Sequence, residues 1–342
     1  MIFTEPVTPA GAGIKVFSPS GHQVAGPAGT SGSVLSAPIT STEIGTFVVS
    51  WQVLAADTHP SRGAFRFVIE NASANPYSSL LTSGEIGTAT PLGLVLQAIA
   101  RWVHFAGFAL AFGVVGYQAL IHRKQRLRAG AAVRNGLTDF NRLVRAGVIL
   151  FIAAEPIALL GQLASLSFDG DTAIAVLASG FGRLLALRLG AALLVWAMLA
   201  MEKPWPVLGV GGVVALIDGA SAHAIPGLPG AGQLLVAIHV AAMGLWVGGL
   251  AGFLTEPDRR FGRLAALSFG AAAISGLLLA LAHIGVVQAL ITTDYGLVLM
   301  IKVLIVGVAL SIALLRRRRL EFGALLAVVA VAALLAALPP PR

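Results

Sequence analysis

The 342-residue chain is 57% hydrophobic and only 11% charged, far from the balance of a soluble domain. Its formal charge of +8 is scattered along the chain rather than gathered on one soluble face, which excludes a nucleic-acid footprint. The absence of cysteine excludes disulfides, thiolate metal sites and cysteine nucleophiles, and with five methionines any soft-metal chemistry must rest mainly on imidazole.

Residues 1–70 are rich in Gly, Pro, Ser and Thr, with short alternating runs. In 46–54, Phe47, Val49, Trp51 and Val53 share one face, and in 64–70 Phe65, Phe67 and Ile69 do the same. A period of two predicts half-buried antiparallel strands of a small β-sandwich. No basic, apolar leader precedes this segment, so the natural chain is expected to begin upstream, with a signal and a first strand that this sequence lacks. Between the two runs lie Asp57 and His59. Two apart in extended backbone, their side chains leave the same face, and a carboxylate with an imidazole suits Cu(II) or Zn(II). A solvated turn is the other reading of that tripeptide. Residues 71–91, aperiodic and rich in turn formers, read as a linker.

From 92 onward eight apolar stretches are each long enough to span a bilayer: 92–121, 143–167, 181–201, 205–222, 233–255, 264–283, 295–315 and 320–338. The basic residues fall in every second gap, from Arg123 to Arg142, at Lys203, at Arg259, Arg260 and Arg263, and at Arg316 to Arg319. The gaps 168–180, 223–232 and 284–294 contain none. The positive-inside rule then places the N-terminal ninety residues and the C-terminus outside the cytoplasm. The membrane half also reads as duplicated, with both copies running in the same direction. Phe140-Asn-Arg-Leu opens the second stretch as Phe261-Gly-Arg-Leu opens the sixth. His104/Gly113 in the first matches His239/Gly248 in the fifth, and Gly182 and Gly296 each precede a cation, Arg188 and Lys302, by six residues. Two four-helix repeats about an axis along the membrane normal are the expected result.

A histidine inside a membrane is costly and marks a site by default. His104, His223, His239 and His283 all lie toward the face with basic-free gaps, His122 lies at the opposite face, and His22 and His59 lie in the sandwich. His239 and Met243, four apart, share a helix face and offer imidazole plus thioether to Cu(I), with Trp246 continuing the stripe; packing is the alternative for each. Glu155, followed by Pro156, is the carboxylate expected deep in the bilayer, where it can relay protons or metal, with Arg188 and Lys302 as candidate partners. No serine has a His/Asp context and no phosphate-cradling Gly loop with Lys occurs, so no enzyme activity is expected.

The run Gly45-Thr-Phe-Val-Val-Ser-Trp-Gln-Val-Leu-Ala-Ala-Asp-Thr-His-Pro-Ser-Arg-Gly-Ala-Phe-Arg-Phe resembles the signature of CopC, the periplasmic copper-binding β-sandwich. Ser221-Ala-His-Ala, Ile238-His-Val-Ala-Ala-Met-Gly-Leu-Trp-Val-Gly-Gly-Leu and Thr292-Thr-Asp-Tyr-Gly-Leu-Val-Leu-Met-Ile-Lys are similar to segments of its membrane partner CopD. The resemblance implies a CopC–CopD fusion: an Ig-like or cupredoxin-like sandwich over 1–70, a linker over 71–91 and an eight-helix membrane domain over 92–342, in a bacterial inner membrane. It implies Cu(II) on Asp57 and His59 together with a mature N-terminal His, which this sequence lacks. It further implies copper in the membrane domain, as Cu(I) or Cu(II), on His104, His223, His239, Met243 and His283. The implied role is copper uptake or resistance, with the bilayer, copper ions and a periplasmic copper chaperone as partners. Two other readings stay open. One is a haem-b electron-transfer protein with His104 and His239 as axial ligands, and the other is a copper sensor or scaffold without transport.

Overall fold

The computed structural model describes residues 1–3, 6–55, 60–81, 90–121, 132–199, 204–222, 225 and 229–341. These form two compact units, one made of Met1–Leu96 with Leu159–Leu185, the other of Gln97–Ala158 with Ala186–Arg342.

The described residues of the first unit form the strands β1 (Val7–Phe17), β2 (Gly29–Ser31), β3 (Val34–Ser36), β4 (Gly45–Ala55) and β5 (Pro60–Ile69). β1, β4 and β5 pair antiparallel in the order β1-β4-β5, and β2 pairs with β3 as a separate ribbon. Phe47, Val49 and Val53 of β4 share one core with Val7, Ile14, Val16 and Leu35, and Trp51 packs against them. β4 is not the half-buried strand expected, because Thr46, Val48 and Leu54 on its other face are buried as well. In β5 only Phe67 joins that core, stacked on its register partner Phe47 at 5.1 Å. Phe65 and Ile69 remain exposed.

β1 carries no clean period of two because Ala10–Gly13 bulge out of the ladder, the register jumping from Pro9↔Val53 to Ile14↔Trp51. Gly11 and Gly13 sit at φ +56° and +68°, a region closed to most L-residues. The stretch read as a linker is fastened to this domain. The Asn75 side-chain amide donates to the carbonyls of Phe17, Ser18 and Thr46, and Tyr77 stacks on Phe17 at 3.8 Å.

The helices are α1 (Pro91–Phe108), a π turn (Ala109–Gly113), α2 (Val114–Ile121), α3 (Ala132–Ser165), α4 (Gly170–Ala178), α5 (Gly180–Met198), α6 (Pro204–Ala220), α7 (Pro229–Thr255), α8 (Phe261–His283), α9 (Ala289–Thr292), α10 (Asp294–Leu314) and α11 (Arg318–Ala337). Among the described residues seven spans are long and apolar enough to cross a membrane, with α1, the π turn and α2 counting as one. The expected fourth span differs: α6 is apolar but has 17 residues. That is about 25 Å of helix, at the lower limit for crossing hydrocarbon. α4 and α9 are short helices inside gaps that read as loops, each leading into a long helix whose near-terminal glycine, Gly182 or Gly296, lies against the short helix's backbone with no room for a Cβ.

Within the first unit α4 packs against β1. A Cβ on Gly11 would stand 2.8 Å from the Thr172 hydroxyl, so the bulge is shaped to that helix. The Arg62 guanidinium donates to the Leu166 carbonyl and the Thr90 hydroxyl to the Ala164 carbonyl. Asp169 caps α4, accepting from the Thr172 amide at 2.7 Å. Hydrogen bonds from Ser167 and from Thr172 hold its carboxyl below the usual carboxylate range. Gly11→Val is expected to destabilise this unit by about 1–2 kcal/mol for the left-handed backbone alone, plus the overlap with Thr172. Limited proteolysis should cleave the N-terminal domain of this variant several-fold faster, and that of Gly29→Ala, where nothing lies within 4 Å, at the parental rate.

In the second unit α7 is the central post, touching the π turn, α2, α6, α8 and α11. Phe108, Phe112, Tyr117, Phe140, Phe151, Trp246, Leu250 and Phe261 lie at the core. α8 and α10 instead expose large apolar side chains, among them Leu267, Ile274, Leu277, Leu281, Val303 and Leu304. Water would not tolerate that surface, and lipid would.

Candidate functional site

A carboxylate or guanidinium inside an apolar bundle is stable only with partners, so buried charge locates function in such a fold. Among the described residues of the second unit, the largest group of buried charge gathers around His104. His104 projects from α1, one turn before the π turn, and its ring lies 4.5 Å from Phe151 of α3. Its Nε2 stands 3.0 Å from Asp218 Oδ2 of α6, and its Nδ1 stands 3.4 Å from Glu155 Oε1 of α3, long for a hydrogen bond and with no other partner in reach. Arg188 of α5 donates through Nε at 3.1 Å and Nη2 at 2.8 Å to Asp218 Oδ1, and Nη2 also reaches the Ser221 hydroxyl at 3.1 Å. The side chains of Glu155, Asp218 and His104 are 2%, 4% and 7% exposed, and that of Arg188 is 17% exposed.

Local sequence explains each placement. Pro156 cannot donate to the helical ladder and opens α3 beside Glu155. Asp218 lies in the last turn of α6, where the helix dipole disfavours an anion, and Arg188 with His104 offset that cost. Sequence reasoning found His104, Glu155 and Arg188 but took Glu155 as the one deep carboxylate, with Arg188 and Lys302 either pairing with it or snorkelling. Asp218 is equally buried, and Arg188 pairs with it. The signal available was an acid within the apolar run Val-Ala-Leu-Ile-Asp-Gly-Ala. A third buried carboxylate, Glu321, pairs with Arg318 at 2.6 Å, and Arg318 also lies over the rings of Phe253 and Phe261.

The other expected donors are dispersed. His239 turns to α8, its Nδ1 3.0 Å from the Ala272 carbonyl and 3.1 Å from the Ser275 hydroxyl, and the electrostatic neighbour is Lys302. An Nδ1 that donates to a carbonyl leaves Nε2 as the lone-pair nitrogen, the state a metal-binding imidazole needs. Met243 and Trp246 pack into the core, Trp246 on Phe269 at 5.1 Å. His283 places Nδ1 2.9 Å from the Leu279 carbonyl and its ring 6.3 Å from Tyr295. Among the described residues no three His, Asp or Glu side chains converge on a point that could hold a metal. Asp57, His59, His122 and His223 lie outside the described residues.

Counted from Phe140 and Phe261, Phe151 corresponds to Ala272 and Glu155 to Gly276. His104 touches the first of each pair, and His239 the second: a Cβ on Gly276 would be 2.9 Å from His239 Cε1. The crossing of α1–α2 with α7 has the same reciprocity. Gly113 lies against the Gly244 carbonyl and Gly248 against the Ala109 carbonyl, neither with room for a Cβ, and counted from His104 and His239 these are matching positions.

In comparisons with known proteins, the CopC domain matches residues 1–70 and Copper resistance protein D matches residues 258–324. No curated protein and no solved structure matches the chain. The second match spans α8 to the start of α11, so it includes His283 and Lys302 and leaves out the His104 cluster. Both domains in one chain are consistent with a CopC–CopD fusion, a multi-pass membrane protein with a periplasmic domain and a function related to copper resistance or uptake.

Proposed function

We propose that this chain, which joins a CopC domain to a CopD segment, moves copper across a bacterial inner membrane. The N-terminal domain is read as an extracytoplasmic Ig-like or cupredoxin-like sandwich that takes Cu(II) at Asp57 and His59, with a periplasmic copper chaperone as its source. The bundle is read as eight helices, α6 included, in two parallel four-helix repeats. Support for the repeats comes from Gly113 and Gly248, matching positions that meet at the crossing, a Cβ on Gly113 standing 2.9 Å from Gly248 Cα, since residues near a two-fold axis meet their own counterparts. His239, Met243, His223 and His283 are the copper donors in this reading, with His239 foremost because its ring is already fixed through Nδ1. His104 is not among them, because a carboxylate faces each of its ring nitrogens.

The observation that carries transport over docking is the buried charge cluster of His104, Glu155, Asp218 and Arg188, since a scaffold has no need of four ionisable groups inside an apolar bundle. Purified protein in sealed proteoliposomes is expected to take up copper, and His239→Ala is expected to reduce the rate at least tenfold. Uptake equal to that of protein-free vesicles would end the transport reading. A Soret band in the purified protein would favour haem binding over copper.

A further inference from the structure

We infer that His104, Glu155, Asp218 and Arg188 form a proton-exchange site, holding one proton at rest and releasing it when copper binds or passes. This rests on the copper-handling reading and adds a second ion to it.

The geometry sets the proton count. A neutral imidazole has one N–H and one bare lone pair. With a carboxylate oxygen 3.0 Å from Nε2 and another 3.4 Å from Nδ1, a neutral ring between two ionised carboxylates would point a lone pair at an anion. One further proton, on the ring or on Glu155, removes that repulsion. The charge count agrees. Two carboxylates, one guanidinium and one protonated imidazole sum to zero, whereas loss of the proton leaves a net charge of −1 in an apolar interior. A buried group of charges is stable only when balanced, so the proton leaves when another cation arrives and returns when that cation departs. Among the described residues, every charged or titratable group that faces His104 takes part: Glu155 from α3, Arg188 from α5 and Asp218 from α6, with the Ser221 hydroxyl beyond the guanidinium.

Among the described residues, the second half of the bundle shows no second such site around His239. Gly276 stands where Glu155 stands in the first half, and the cation beside His239 is Lys302. A proton on His239 would meet a positive charge and no carboxylate. One proton per cycle is therefore the expected stoichiometry.

Infrared difference spectroscopy of the full chain in detergent, with and without Cu(I) or Cu(II), reads the proton directly. Copper is expected to produce the bands of a buried carboxyl or imidazole losing its proton, and both Asp218→Asn and Glu155→Gln are expected to abolish or shift them. The two variants are near-isosteric and act on opposite nitrogens of one ring. Melting curves identify a variant that has lost its fold, and the other then decides. In vesicles with a trapped pH dye, copper entry should raise lumenal pH by about one proton per ion. An absent copper-induced signal in the parent protein, bands unchanged in both folded variants, or copper entry with no pH change each overturn the exchange site. Vesicles that take up no copper while the infrared signal persists would end the transport reading and leave the exchange site standing.

Discussion

Replacing Asp218 with alanine is expected to destabilise the helical unit by about 3–5 kcal/mol. The carboxylate is 4% exposed and joins three helices, accepting from Arg188 of α5 and facing His104 of α1 from its own place on α6. Without it the guanidinium keeps, among the described residues, the Ser221 hydroxyl, and His104 loses its shorter contact. Removing one partner of a buried pair costs far more than removing both, because the survivor keeps its desolvation cost. The variant Arg188→Met combined with Asp218→Ala should therefore recover part of the loss, with a coupling of at least about 1 kcal/mol in the double-mutant cycle. Thermal unfolding in detergent measures all three. The exposed pair Arg142–Asp139, at 81% and 53% exposure, is the control, and Asp139→Ala should change stability by no more than about 1 kcal/mol. Similar effects at the two sites would mean that the buried cluster is wetter and weaker than its geometry implies.

Substitution at the crossing of α1–α2 and α7 should be as damaging. A side chain at Gly113 would overlap the Gly244 carbonyl and one at Gly248 the Ala109 carbonyl, and both obstacles are backbone, which cannot rotate away. Gly113→Val or Gly248→Val must part the two helices, and overpacking of this kind costs about 1–3 kcal/mol or more. Because Phe108, Phe112 and Trp246 are packed around the same crossing, the strain spreads into the core, and little folded protein should elute as a single species in size-exclusion chromatography. Gly212→Ala and Gly270→Ala, on helix surfaces with nothing within 4 Å, should be neutral or gain about 0.5–1 kcal/mol from helix propensity. A well-folded Gly248→Val protein would show that the helices do not cross at backbone distance.

Long helices were legible in the sequence because span length is set by the bilayer, and a run of apolar residues reports it without knowledge of the neighbours. The glycines Gly182 and Gly296 fall near the starts of α5 and α10, whereas Phe140, read as opening the second span, lies inside α3, which begins at Ala132. β1 was hidden because its bulge breaks the period of two at Ala10–Gly13. α4 and α9 were hidden because a helix of nine or four residues is specified by what it packs on. Asp218 is the instructive case. It sits where an apolar run meets a loop, a place where acids are common and usually solvated, and its partners come from α1 and α5, which no spacing along the chain connects to it. Glu155 stood out because nothing polar surrounds it in sequence.

The lipid-facing surface of α10 bears on how the bundle comes apart. It packs mainly on α9 and α11, touching α8 through Tyr295 and lying near His239 of α7 through Lys302, and little of its span is buried in protein. Lipid attracts an apolar helix about as well as another apolar helix does, so α10 is retained by shape and by its neighbours in the chain. α7, wedged among α2, α6, α8 and α11, is retained by close packing that lipid cannot imitate. A denaturing detergent would therefore strip the molecule from its periphery inward, and the crossing of α1–α2 with α7 would be the last part of the bundle to dissolve.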